Sequence, residues 1–268
     1  MKLLNWLLYS NAWVASCFGF LLYGFLTRYH VEQALLYTFW GFSGTISAYQ
    51  LHRLLRIRQL ASTENPRLSW MQRNQHFQWL WFLLHWTIFS ILGLHFSWNT
   101  ESLGILLVLL AITGLYALPL RNSHGIRSIP FLKNIWIAGS WSAFLLIPFA
   151  QFDMQIPVLE LALIFGAVYI QIIPFDLRDI EHDHLAMRTI PQLLGRKNSV
   201  YFYCALTLVI SLFLMLSGYS IILVLTYLFV GIFSAVKQPK TSQLAWFEVL
   251  WELPLLILGL IFWVGIVI

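Results

Sequence analysis

Four of the chain's eleven acids fall within eight residues, in the segment Pro174-Phe175-Asp176-Leu177-Arg178-Asp179-Ile180-Glu181-His182-Asp183. If this segment is helical, Asp176, Asp179 and Asp183 stand at i, i+3 and i+7 and share one face. Arg178 then lies about 100° round from Asp179. Three carboxylates on one stripe repel each other, and beside an apolar boundary they also lose hydration, so a cation is needed to offset both costs. Hard oxygen ligands at helical spacing suit Mg²⁺, which keeps several waters and bridges carboxylates to phosphates. One Mg²⁺ at Asp176, Asp179 and Asp183 is therefore the expectation. His182 and His184 flank Asp183, but alternate positions point apart on a helix, which argues against zinc. The plainer alternative is a solvated acidic loop balanced by Arg178, Arg188 and Arg196.

A second constellation is basic. Tyr49, His52, Arg53 and Arg56 recur at i, i+3, i+4 and i+7 and form one polar stripe at the end of an apolar run. Guanidinium forks suit phosphate oxygens, and His52 can donate or accept a proton beside them. The competing reading is a positively charged helix end with no ligand.

The elements that must carry these stripes follow from composition. The 268 residues are 59% hydrophobic and only 10% charged, with a mean hydropathy of +0.74. Soluble, disordered, coiled-coil and disulfide-stapled classes are excluded on that balance. A membrane crossing takes about 20 apolar residues, and nine such runs occur, at 4–26, 32–51, 77–96, 102–120, 131–151, 156–175, 200–217, 219–236 and 246–268. Their length and lack of alternation exclude a β-barrel. The expected architecture is all-α, a polytopic membrane helical bundle of about nine transmembrane helices forming one domain over 1–268. The first run continues well past the small residues around Ala15 and Cys17, so it reads as a spanning helix rather than a signal peptide.

Orientation follows from the sixteen Lys and Arg residues. All fall at one end of the nine spans except Arg28, which places the N-terminus and the motif loops in the cytoplasm. Topology accounts for the pI of 9.3, and no nucleic-acid partner is implied.

The stretch 169–197, YIQIIPFDLRDIEHDHLAMRTIPQLLGRK, resembles the second aspartate-rich region of the UbiA-type intramembrane prenyltransferases. That pattern combines an aromatic, a basic residue, Asp-x-x-x-Asp, Thr-x-Pro and a Gly, here Phe175, Arg178, Asp179, Asp183, Thr189, Pro191 and Gly195. The stretch 115–141 is similar to the family's connection between helices four and five. The resemblance implies a UbiA-like fold, a bacterial inner-membrane location, and transfer of a prenyl group from a prenyl diphosphate to a lipophilic or aromatic acceptor among membrane lipids. It further implies that Asp179 and Asp183, supported by Asp176, hold Mg²⁺, that Arg178 and Lys133 reach phosphate oxygens, and that Tyr116, Asn134, Trp136 and Trp141 line the neighbouring wall.

One feature departs from the family. Its first acidic region, Asn-Asp-x-x-Asp-Arg-x-x-Asp, corresponds to Ala48-Tyr49-Gln50-Leu51-His52-Arg53-Leu54-Leu55-Arg56, where only Arg53 agrees. Phenol, imidazole and guanidinium cannot replace hard anionic ligands, so the first metal site is absent. Two outcomes are open. Arg53 and Arg56 bind the diphosphate directly, with His52 in proton transfer and Tyr49 at the substrate, or the chain is a non-catalytic relative that binds an isoprenoid or a partner. A transporter is the third class, disfavoured because the ionisable groups crowd at one end of the spans.

Overall fold

The computed structural model describes residues 2–56, 66–117, 129, 131–180, 188–236 and 244–265, and these form helices without any β-strand. In chain order the helices are α1 (Lys2–Tyr9), α2 (Ala12–Arg28), α3 (Ala34–Arg56), α4 (Pro66–Arg73), α5 (Gln75–His95), α6 (Thr100–Ala117), α7 (Leu132–Gln151), α8 (Val158–Gln171), α9 (Ile173–Asp179), α10 (Ile190–Leu194), α11 (Arg196–Leu216), α12 (Ile221–Val236) and α13 (Leu244–Val264). Each apolar run falls on one of these or on a consecutive pair. Gln75–His95, Val158–Asp179 and Arg196–Leu216 are long and apolar enough to cross a membrane, and Ala12–Arg28, Thr100–Tyr116, Ile221–Val236 and Val249–Val264 are shorter apolar helices.

Two runs are broken, and the breaks shape the motif end. The first splits into α1 and α2 at Ser10 and Asn11, where Asn11 adopts a left-handed backbone with φ 62°. Asn is among the few residues that enter this region readily. A break frees backbone carbonyls, and inside a bilayer an unsatisfied carbonyl is costly. Neighbouring helices supply the donors: Gln50 Nε2 and Trp81 Nε1 both donate to the Ser10 carbonyl, at 2.9 and 3.2 Å. Arg53 Nη1 donates to the Tyr9 carbonyl at 3.2 Å. The sixth run splits into α8 and α9, and Pro174 stands in the first turn of α9, where its missing N–H is least needed.

The helices close into a ring, α2 on α3, α3 on α6, then α6, α7, α8, α11, α12 and α13 in turn, with α13 returning to α2. The closing contact depends on glycine. A Cβ at Gly24 would land on the Gly259 carbonyl, and one at Gly259 would lie 2.9 Å from the Phe20 carbonyl oxygen. Small residues permit such backbone approach in membranes, where packing replaces hydrophobic driving force.

α5 leans on α3 outside this ring. Its buried side chains are Gln78, His85 and Phe89, and Phe89 stacks on Trp40 at 5.0 Å while its carbonyl accepts Trp40 Nε1 at 2.9 Å. Large apolar side chains of α5 face outward, as Leu80 and Leu94 illustrate. Apolar side chains outward, with Gln78 and His85 turned inward, are expected of a helix facing lipid.

Candidate functional site

The acidic stripe begins on α9. Asp176 is fully buried, with Lys133 Nζ bound to its Oδ1. Lys133 lies in the first turn of α7, whose partial positive charge a carboxylate offsets. The other oxygen, Asp176 Oδ2, is buried without a hydrogen-bond partner, which makes it an acceptor still open to a cation. Asp179 stands at the end of α9 with both carboxylate oxygens held by the Arg178 guanidinium. Arg178 also lies over the Phe175 ring, 5.6 Å from its centroid. Asp183 lies outside the described residues. Among the described residues no group of three His, Cys, Asp or Glu side chains is assembled around a common point.

Further along, the Thr-x-Pro and Gly positions have a structural meaning. The Thr189 amide donates to Gln192 Oε1 at 3.0 Å and Pro191 sits in the first turn of α10, an arrangement that fixes a helix start. Gly195 has φ 77° between α10 and α11, a conformation glycine enters without steric cost.

The basic stripe occupies the end of α3. The His52 ring stacks on Tyr116 of α6 at 5.3 Å, and Tyr116 stacks on Trp136 of α7 at 6.2 Å. Ring contacts thus run from His52 through Tyr116 to Trp136, which stands one turn along α7 from Lys133 of the Lys133–Asp176 pair. Trp136 Nε1 donates to the Ile112 carbonyl at 3.2 Å, tying α7 to α6. Arg53 is half-buried and partly committed to the Tyr9 carbonyl. Tyr49 is half-buried on the same helix. The backbone of Arg56 ends α3, and its side chain lies outside the described residues.

The remaining wall candidates separate from this path. Asn134 is buried and donates Nδ2 to the Tyr169 carbonyl at 3.1 Å, so it joins α7 to α8. Trp141 is buried deeper, 4.5 Å from the Phe18 ring, within the packed interior. Sequence reasoning passed over Glu252, which is buried on α13; its signal was an acid inside the apolar run 246–268.

Comparison with solved structures decides the architecture. A UbiA homolog from Archaeoglobus fulgidus, solved with GPP and Mg²⁺ bound, aligns over 97% of this chain and 100% of that chain, at 13% identity and a TM-score of 0.62. The chain has the UbiA-type prenyltransferase fold. A structure of that homolog with DMAPP and Mg²⁺ aligns over 98% of this chain and 100% of that one, at 13% identity and a TM-score of 0.60. A digeranylgeranylglyceryl phosphate synthase aligns over 98% of this chain and 96% of that one, at 17% identity and a TM-score of 0.57. No family model matches the sequence, and no curated protein matches it. The UbiA-type fold is a polytopic helical membrane architecture, in keeping with the nine runs.

Proposed function

We propose that this chain is a membrane prenyltransferase, one domain over residues 1–268, that moves a prenyl group from a prenyl diphosphate to a lipophilic or aromatic acceptor. Its N-terminus and motif loops face the cytoplasm of a bacterial inner membrane. The observation that carries this reading is that the ring contacts from His52 through Tyr116 end on Trp136 of α7, one turn from the Lys133 that pairs with Asp176, so that basic, aromatic and acidic groups stand near one another. Solved structures of the same fold that hold GPP or DMAPP with Mg²⁺ support it.

The donor set fits a divalent cation in kind. Asp176 and Asp179 offer hard anionic oxygens, one of them buried without a partner, and Asp183 would complete the set. Bound there, Mg²⁺ supplies charge neutralisation to the departing diphosphate. Lys133 and Arg178 are held ready by carboxylates and turn to phosphate oxygens when the substrate arrives. Arg53 and Arg56 provide fixed positive charge where the family's first acidic region stood. As the allylic carbon–oxygen bond breaks and its electrons pass to the diphosphate, the faces of Tyr116 and Trp136 stabilise the carbocation and exclude water.

Purified protein titrated with labelled geranyl diphosphate, with and without Mg²⁺, tests the reading. Asp179→Ala should abolish the Mg²⁺-dependent part of binding, and Arg53→Ala with Arg56→Ala should remove what is left. Wild-type protein that binds geranyl diphosphate under neither condition sinks the proposal. The second reading, a non-catalytic isoprenoid- or partner-binding protein, draws on the mutual neutralisation of Lys133 with Asp176 and Arg178 with Asp179. It is distinguished by geranyl diphosphate binding without turnover.

A further inference from the structure

Away from the α9 and α3 stripes, rings close the interior of the bundle. In the ring of helices α7 has α6 and α8 beside it, so a contact from α7 to α2 or α3 crosses the interior. One turn of α7 makes such contacts. Trp141 lies 4.5 Å from Phe18 of α2, and Phe144 lies 5.8 Å from the same ring and 4.7 Å from Trp40 of α3. Trp40 is fully buried, and Phe18 and Trp141 nearly so. Gly41, beside Trp40, leaves these rings room to meet: a Cβ there would lie 3.1 Å from both Phe18 and Phe144 and 2.7 Å from Leu22. Further from the stripes, Phe149 meets Phe25 of α2 at 5.6 Å and the Tyr37 hydroxyl of α3 donates to Gln151, so the cross-bracing continues toward the far end. Interiors packed in this way hold few voids larger than a water molecule.

Helix geometry ties this plug to the candidate site. Positions eleven apart on an α-helix return to within about 20° of one face and stand about 16 Å apart along the axis. Lys133, which pairs with Asp176, is eleven residues before Phe144 on α7. His52, which stacks on Tyr116, is eleven residues after Gly41 on α3. Between these positions the α7 face carries Ile137 and Ser140 and the α3 face carries Thr45 and Ala48, all smaller than the rings that follow. Two helices thus give one span between the site and the plug.

A prenyl tail can be laid against that span. Three bonds of an extended chain cover about 3.8 Å, so the four main-chain bonds of an isoprene unit cover about 5 Å. A geranyl tail then needs about 10 Å, a farnesyl tail about 15 Å and a geranylgeranyl tail about 20 Å. We propose that the plug of Phe18, Trp40, Trp141 and Phe144 ends the space open to the prenyl tail, so that the chain takes diphosphates of two or three isoprene units and discriminates against four; this rests on the transferase reading above. A fourth unit must displace close-packed rings or fold back on itself. Burial of apolar surface favours the longer tail wherever there is room, so the plug reverses the order that hydrophobicity alone would set.

The test uses the full chain in lipid nanodiscs with Mg²⁺ and labelled geranyl diphosphate, displaced by unlabelled geranyl, farnesyl or geranylgeranyl diphosphate. Farnesyl diphosphate should compete about as well as geranyl diphosphate, and geranylgeranyl diphosphate about 10–100-fold more weakly, the penalty of overpacking a filled interior. Phe144→Ala should close most of that gap by opening the space of a ring. Phe144→Leu should close part of it, and carries the comparison if the alanine variant does not fold. Geranylgeranyl diphosphate that competes as well as geranyl diphosphate on the wild-type protein overturns this proposal alone, because the tail then leaves between helices instead of ending on the plug. A gap that survives in both Phe144 variants overturns it too, because the limit then lies elsewhere. Wild-type protein that binds none of the three diphosphates overturns the transferase reading and the length limit with it.

Discussion

The polar stripes of α9 and α3 keep charge at the same end of the bundle by opposite means. On α9 each described acid meets a base, Asp176 with Lys133 and Asp179 with Arg178. On α3 the polar groups reach backbone and rings: Gln50 to the Ser10 carbonyl, Arg53 to the Tyr9 carbonyl, His52 to the face of Tyr116. The difference teaches that the α9 stripe is an ionic device whose parts act on one another, whereas the α3 stripe also caps a broken helix. Damage to α9 should be non-additive, and damage to α3 should disturb the first span.

The largest effect is expected at the buried ion pair. Lys133→Met leaves Asp176 uncompensated and should cost about 3–5 kcal/mol in thermal or denaturant unfolding. Adding Asp176→Leu should recover most of that loss, and a double-variant loss equal to the sum of the two single losses would show that the two are not coupled. On α3 the expected effect is smaller. Gln50→Leu removes one of two donors to the Ser10 carbonyl and should cost about 1 kcal/mol, with amide hydrogen exchange rising near residues 9–12. His52→Ala, which loses the stack on Tyr116, should cost about 0.5–1.5 kcal/mol beyond its buried area, best read by a double-mutant cycle with Tyr116→Ala.

The opposite end of the bundle sharpens the contrast by a pH dependence. Tyr29, just past α2, is pushed up to about 12 by burial, then by a hydrogen bond to Glu160, with Arg28 opposing. A phenol raised in the fold contributes stability that is complete below its unfolded value of about 10 and is lost as pH climbs through its folded value. The midpoint of thermal unfolding should therefore fall between pH 10 and 12, and Tyr29→Phe should flatten that fall.

Much of the fold was legible because bilayer thickness and charge asymmetry write themselves into run length and loop composition. The breaks were less so. The polar pair Ser10-Asn11 is only a weak mark of a discontinuity in the first run, since no Pro or Gly is there and the donors that make the break tolerable come from Gln50 and Trp81 in other helices. At the candidate site, spacing brought Asp176 and Asp179 to attention, yet spacing along one helix says nothing of Lys133, which arrives from 43 residues away. Local periodicity reports which face a side chain occupies, and only tertiary packing decides what meets it. Glu252 was readable in principle as an acid in a hydrophobic run, but its burial was not.

The glycine seam between α2 and α13 bears on how this protein comes into being. Because α2 is sealed by α13, a nascent chain inserted span by span carries an open flank until α13 has been made. Early helices must wait in the membrane with their inward polar groups unsheltered, so a bulkier residue at Gly259 should act first on insertion yield and survival in the cell, before any measurement on the mature bundle.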